Sequence, residues 1–391
     1  MEHGTNPYSP GAGRKPTELV GRDQTLDRWK SSLQRIENGR DARSFCLYGL
    51  RGVGKTVLLA EFSREAKKHE WIVVKFEAGA GQTLRERLSL ELHQVLADFA
   101  RPGAKERMLK AFKTLASFKT TFDPNSGNFS FGIDLSDQPG GGADSGNLES
   151  DMFKLVHDVS SAAQDLGLGF TLLVDEAQDL EEEELAVLAA VTHRAGQEGW
   201  AFLAAVAGLP SLPRLFSEAK SYTERLFDYH EIRELPLEDA RLALTSPAAS
   251  EGIGWEDSAR DYVINAASGY PYYIQQFGHD SWIAADSDPI SLQDAQQGVE
   301  FGQRELDGGF FRSRWDRATT KEKEYLRAVA AEGNNSAMSS EVASRMGRKI
   351  ESLGPARANL ISKGIIYAPE HGVVAFTVPG MVEFINRQTD E

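Results

Sequence analysis

A single cysteine, Cys46, has no partner in the chain, which excludes internal disulfides and cysteine-rich zinc sites and leads us to expect a reducing cytoplasm. The eight histidines are scattered, and no pair has the spacing that would let one helix hold a metal. Long apolar runs are also missing. The longest, Trp200 to Leu209, is Ala-rich and about half of the roughly 18 residues needed to cross a bilayer, so no membrane association is expected. The N-terminus, MEHGTNPYSPGAGRKP, has no apolar core; it reads as a flexible arm over residues 1–18 and not as a secretory signal. Basic residues are in deficit. A net charge of −15 excludes a protein that coats nucleic acid over its whole surface. What is present, 41% hydrophobic and 26% charged residues over 391 positions, suits a folded globular chain of two or three domains.

The deficit is uneven. From Phe310 to Glu391 there are 12 Lys and Arg against 10 Asp and Glu, a net +2, while the rest of the chain carries −17. The C-terminal fifth is therefore electrostatically distinct and could supply one basic module.

Apolar periodicity predicts a helix over Leu26 to Ile36, a buried strand at Ser44–Tyr48, a helix from Val57 to Ala66, a strand at Trp71–Phe76 and a helix from Thr83 to Phe99. Residues 101–150 break this rhythm. Phe129, Phe131, Ile133 and Leu135 alternate after the turn at Asp123–Gly127, which reads as a β-hairpin in an insertion: either a plain surface feature or a contact for DNA or a partner. A helix follows from Met152 to Leu166, with strands at Phe170–Val174, Ala201–Ala207 and His230–Leu235 and a helix from Leu185 to Ala195. Strands apolar on both faces and alternating with helices predict a parallel sheet covered on both sides. Glu181 to Glu184 reads as the acidic first turn of a helix, with Asp179 as its N-cap.

Two motifs carry chemistry. Gly49-Leu-Arg-Gly-Val-Gly-Lys-Thr56 fits G-x-x-x-x-G-K-[ST] at every fixed position, after a strand and before a helix. Gly49, Gly52 and Gly54 permit a tight loop. The N–H groups of that loop, with those of Val53, Lys55, Thr56 and Val57, converge on phosphate oxygens at a helix N-terminus. Lys55 offsets phosphate charge, and the Thr56 hydroxyl is a hard ligand for Mg²⁺. Leu172-Leu-Val-Asp-Glu176 then delivers Asp175, a second Mg²⁺ contact through water, and Glu176, a general base for water attack. ATP and Mg²⁺ are the expected cofactors, ADP the expected product.

These motifs resemble those of the AAA+ ATPases, in the branch shared by origin-recognition ATPases and STAND signalling ATPases, over about Leu19 to Glu391. Leu19-Val-Gly-Arg-Asp23 looks like that branch's adenine-packing motif, which puts Val20 in the pocket. Gly269-Tyr-Pro271 looks like the turn of the helical lid, which puts Pro271 there. Arg225 lies where such proteins place an arginine finger, although a salt bridge to a neighbouring acid is an equal reading. The resemblance implies an α/β P-loop core over 19–235 with sheet order 5-1-4-3-2, a helical lid over 236–309 and a C-terminal winged helix over 310–391. It also implies a homo-oligomer. Two departures, Gly208-Leu-Pro210 in place of a polar sensor and no arginine beside Gly269-Tyr-Pro271, point to slow hydrolysis.

In the last segment three helices and a hairpin are expected: Thr320 to Ala331, a helix capped by Ser339 or Ser340, another capped by Ser352 with Pro355 in its first turn, then strands flanking Pro369-Glu-His-Gly372. Arg348, Lys349, Arg357, Asn359 and Lys363 fall on or beside the recognition helix of such a module. They could meet double-stranded DNA. In STAND-like relatives the same module packs against protein, which leaves a signalling or defence switch as the alternative.

Overall fold

The computed structural model describes residues 3–79, 81–99, 106–120, 142–331, 333 and 335–388. The first part of the chain runs α1 (Asp23–Glu37), β1 (Ser44–Tyr48), α2 (Lys55–Lys68), β2 (Ile72–Glu77), α3 (Leu84–Phe99), α4 (Glu106–Thr120), α5 (Leu148–Asp165), β3 (Phe170–Asp175), α6 (Glu182–Glu198), β4 (Phe202–Gly208), α7 (Leu212–Ala219), α8 (Thr223–Leu226) and β5 (Phe227–Glu231). The five strands form one parallel sheet in the order β2-β3-β4-β1-β5, the expected 5-1-4-3-2 read from the other edge.

Successive side chains point to opposite faces of a strand, so each central strand feeds two cores. Phe45, Leu47, Leu173 and Leu203 face one side, and Cys46, Leu172, Val174 and Val206 the other. On the first side Trp29 of α1 stacks on Phe62 of α2 at 4.4 Å and donates its indole N–H to the Phe62 carbonyl at 3.0 Å, which locks α1 against the helix that starts in the phosphate loop.

Four helices follow: α9 (Leu237–Ser250), α10 (Asp257–Ala267), α11 (Pro271–Ala284) and α12 (Leu292–Glu305). A π-helical turn, Leu306–Phe311, and α13 (Arg312–Trp315) lead to α14 (Thr320–Ala330), β6 (Ser336–Met338), α15 (Ser339–Arg345), α16 (Ile350–Ser362), β7 (Ile366–Tyr367), β8 (Val373–Phe376) and α17 (Met381–Arg387). Strands β6, β8 and β7 make a small antiparallel sheet beside α14, α15 and α16, an order of elements consistent with a winged-helix domain. The third strand, β6, and the terminal α17 are additions to the expected helices and hairpin.

Several local readings are corrected. Residues 106–120 are a helix, α4, held to α5 through Asp158, which takes hydrogen bonds or ion pairs from Thr114, Lys110 and Lys154. The hairpin expected at 129–135 lies outside the described residues. The cap of α6 is Glu181 and not Asp179, because Glu184 reaches back to the Glu181 N–H at 3.1 Å. Helix α16 begins at Ile350, with Lys349 as its N-cap; the Ser352 hydroxyl donates instead to the Lys349 carbonyl at 2.7 Å. Similarly, α15 is capped at Met338 and not at a serine. The last core strand spans 227–231, a few residues earlier than expected.

The N-terminal arm is the largest correction. Residues 4–18 are not loose. Tyr8 is 3% exposed, its hydroxyl donating to the Leu244 carbonyl of α9 and accepting from the Trp255 indole at 3.1 Å. Gly278 of α11 makes room for it, since a Cβ there would stand 2.6 Å from the Tyr8 ring. One aromatic residue in a polar segment carries no periodicity, so nothing in the local pattern announced this docking.

Candidate active site

Between β1 and α2 the chain turns through the phosphate-loop motif. Gly49 has no space for a side chain, because a Cβ would lie 2.1 Å from the Ile232 carbonyl. Gly52 has a φ of 86° and Gly54 of 99°, left-handed values that disfavour other residues. The loop borders a cleft of about 330 Å³. Gly52, Val53, Gly54, Lys55, Thr56 and Val57 all line it, joined by Glu176 from the far side and by Val20 and Pro271 as expected. Gly49 sits beneath the loop. Asp175 also lies below the surface, 5% exposed, its Oδ1 accepting the Glu176 N–H at 3.0 Å.

Lys55 Nζ donates to the carbonyls of Gly49 at 2.9 Å and Leu50 at 2.8 Å. Burial, with Arg51 alongside, pushes this amine down to about 8, against the pull of Glu176 and Asp175. Its charge is thus held where only carbonyl dipoles and two acids support it, a position that phosphate oxygens would improve. The Thr56 hydroxyl has no hydrogen-bond partner among the described residues, and Asp175 supplies a carboxylate nearby in the fold. Hard oxygen donors of this number suit Mg²⁺, which keeps several waters and phosphate oxygens as its other ligands.

Glu176 adopts a φ of 48°, strained for a residue with a side chain. Its Oε2 accepts from Arg51 Nη2 at 3.2 Å and from Gln178 Nε2 at 2.7 Å. The Gln178 Oε1 in turn accepts the Leu209 N–H at 2.9 Å, and a Cβ on Gly208 would fall 2.6 Å from that oxygen. The glycine that stood out as a missing sensor is therefore the gap that Gln178 fills. Nothing in the sequence signalled that Arg51 pairs with Glu176, and the signal for the contact of Gln178 was its pairing with a bare glycine at a strand end. Arg225 is exposed, does not line the cleft of its own chain and has no ion pair among the described residues.

The arm closes one wall. Ser9, Gly11, Ala12 and Gly13 line the cleft, and a Cβ on Gly13 would touch the Thr56 methyl at 3.3 Å. Arg22 ties the adjacent wall to the loop by donating to the carbonyls of Val53 at 3.2 Å and Arg233 at 2.6 Å. Tyr8→Ala is expected to release the arm, since losing a buried aromatic costs about 3 kcal/mol or more. Limited proteolysis should then cut within residues 4–16, and ATP affinity should fall about tenfold as the wall opens. An arm that stays protected would contradict the anchoring role of Tyr8.

The opposite wall meets the C-terminal module. The Arg51 N–H donates to the Thr377 carbonyl at 3.0 Å, and the Tyr273 hydroxyl to the Pro379 carbonyl at 2.6 Å. On the outer face of the module Arg348, Lys349 and Asn359 are exposed and Arg357 is half-buried. Lys363 Nζ is bound to Glu322 Oε2 at 2.5 Å, with Glu322 3% exposed, so it staples the end of α16 to α14.

The family model described as an AAA ATPase domain matches residues 18–204. The chain carries an AAA ATPase domain. Its phosphate loop and Glu176 strand both lie inside that match, and the structure gives the ATPase the parallel P-loop sheet that such domains use. A domain of unknown function (DUF8462) matches residues 308–385. Sixty residues are 40% identical to an ORC1-type DNA replication protein of Haloarcula marismortui, a match that covers 14% of each chain, so the ATPase spans a small part of that relative's length. Among solved structures, the Walker-type ATPase of Pyrococcus abyssi has the same fold over nearly all of both chains, 95% and 97%, with a TM-score of 0.59 at 16% identity. The Aeropyrum pernix ORC1 protein, solved in complex with DNA, aligns over 95% and 93% with a TM-score of 0.45 at 14% identity. Among the described residues no helix is long and apolar enough to cross a membrane.

Proposed function

We propose that the ATPase binds ATP with Mg²⁺, hydrolyses it slowly and couples nucleotide state to assembly, and that its C-terminal module meets double-stranded DNA in the assembled form. The observation that carries this reading is the double attachment of Arg51. Its side chain holds Glu176, and its backbone holds Thr377 of the winged-helix segment. Nucleotide that rearranges the phosphate loop would therefore act on the C-terminal module directly. In the catalytic arrangement Lys55 faces the phosphates, Thr56 and Asp175 hold Mg²⁺, and Glu176, once released from Arg51, takes the proton of the attacking water. A slow turnover follows from a base that is ion-paired at rest. Arg225, exposed and outside its own cleft, is where a residue serving a neighbouring subunit would be.

DNA binding rests on Arg348, Lys349, Arg357 and Asn359, on the module that alone carries net positive charge. Replacing Arg348, Lys349 and Arg357 with Ala should weaken duplex binding and flatten its salt dependence by up to about 3 in log–log slope, roughly 0.9 for each phosphate that is no longer neutralised. ATP binding should be untouched. The measurement is duplex titration with and without ATP at several salt concentrations.

A switch that binds protein through the same module is favoured by the seating of Thr377 and Gly364, which flank β8 and β7, against Arg51 of the phosphate loop. Absence of duplex affinity at low salt with ATP present would select this second reading.

A further inference from the structure

Arg314 belongs to α13, in the segment that joins the lid to the winged helix, yet it lines the ATP cleft beside Arg51, Gly52 and Tyr272. Its guanidinium lies 4.2 Å from the centre of the Phe310 ring, and Nη1 donates to the Phe310 carbonyl at 2.5 Å. Phe310 is itself stacked on Tyr272 at 5.1 Å, so the group is held rigidly against the wall. The Nε is buried without a hydrogen-bond partner. Among the described residues no carboxylate pairs with Arg314, and Glu176, an acid that lines the same cleft, is already held by Arg51 and Gln178.

This is an unusual electrostatic situation. The charges facing Arg314 are Arg51 and Arg317, both cations, and burial together with Arg51 pushes its guanidinium down to about 10. A half-buried cation without a counter-ion is strongly unfavourable, and proteins keep such groups where an anion arrives. A planar guanidinium fixed by stacking, bonded through Nη1 to the Phe310 carbonyl, keeps further N–H donors for a phosphate.

We propose that Arg314 binds the terminal phosphates of the nucleotide in its own chain's cleft. The segment leading to the C-terminal module would thereby supply a cation that the lid does not. The proposal rests on the ATP-site reading and adds to it a phosphate ligand from a segment beyond the lid. It also gives nucleotide a second handle on the C-terminal module, because the same α13 leads directly into α14.

The test uses the full chain with Mg²⁺ and measures the affinities of ATP, ADP and AMP for wild type, Arg314→Gln, Arg314→Lys and Lys55→Ala. Arg314→Gln should lose about tenfold or more in ATP affinity, as expected for a charge-assisted hydrogen bond, while AMP affinity stays within about twofold. Arg314→Lys should recover part of the loss. Unchanged ATP affinity, or an equal loss for AMP and ATP, would overturn the proposal, because a merely structural residue does not distinguish the number of phosphates. Should thermal melting show that Arg314→Gln does not fold, Arg314→Lys carries the same comparison: a loss confined to ATP and ADP supports the role, an equal loss or none overturns it. If wild type binds no ATP, or Lys55→Ala binds it as wild type does, the ATP-site reading itself fails and the role of Arg314 with it. An indifferent Arg314→Gln beside an impaired Lys55→Ala removes only Arg314.

Discussion

Lys55→Ala is expected to lower ATP affinity by about a hundredfold or more, the largest binding effect of any single change in the cleft. The amine is 7% exposed and points at carbonyl oxygens of its own loop. Phosphate oxygens would exchange those dipoles for full charges, and removing one member of such a buried pair costs roughly 3 kcal/mol or more. Equilibrium titration of the variant with ATP checks this. The change should leave the fold intact, because the glycines that shape the loop and the Trp29–Phe62 stack that seats α2 are untouched. Near-normal affinity would mean that nucleotide binds elsewhere or that the loop does not hold the terminal phosphates.

The sequence exposed the parts of this site that are local. The phosphate loop is legible because each of its residue types answers a constraint within eight positions: tight turn, close approach, charge, hydroxyl ligand. The sheet was legible because Phe45, Leu47 and their counterparts are apolar on both faces. The walls of the cleft were not, since they are made by residues far apart in the chain. Tyr8 finds its place only when α9 and α11 are packed, 236 residues from the Leu244 carbonyl it reaches. Gln178 and Gly208 look unremarkable alone and complementary only side by side. The bond from Lys363 to Glu322, 41 positions away, was equally invisible in the sequence. Arg314 followed the same rule: it lies in a segment assigned to the C-terminal module, and folding alone puts it in the nucleotide cleft. The caps of α15 and α16 were misread for a different reason. Serines near a helix start compete with one another, and the choice at Ser352 went to the Lys349 carbonyl.

Glu176→Gln should leave ATP bound and almost unhydrolysed, with turnover down by about a hundredfold or more, the usual contribution of a positioned general base. The substitution keeps the shape and the hydrogen bond that Gln178 donates, but it removes the negative charge that pairs with Arg51. Two effects then separate. Hydrolysis falls because no carboxylate can take the proton of water, whereas ATP affinity holds or rises because the cleft loses one charge that repels phosphate. Single-turnover hydrolysis measured beside ATP affinity distinguishes them. A parallel loss of affinity would identify Glu176 as a binding group, and unchanged turnover would remove it as the base. The variant also frees the Arg51 guanidinium while keeping its backbone bond to Thr377. If the ion pair is what holds the resting arrangement, ATP in this variant should accumulate in the form whose C-terminal module is loosened, readable as faster amide exchange over residues 365–378. Exchange there that ignores both the substitution and ATP would detach the winged helix from the nucleotide site.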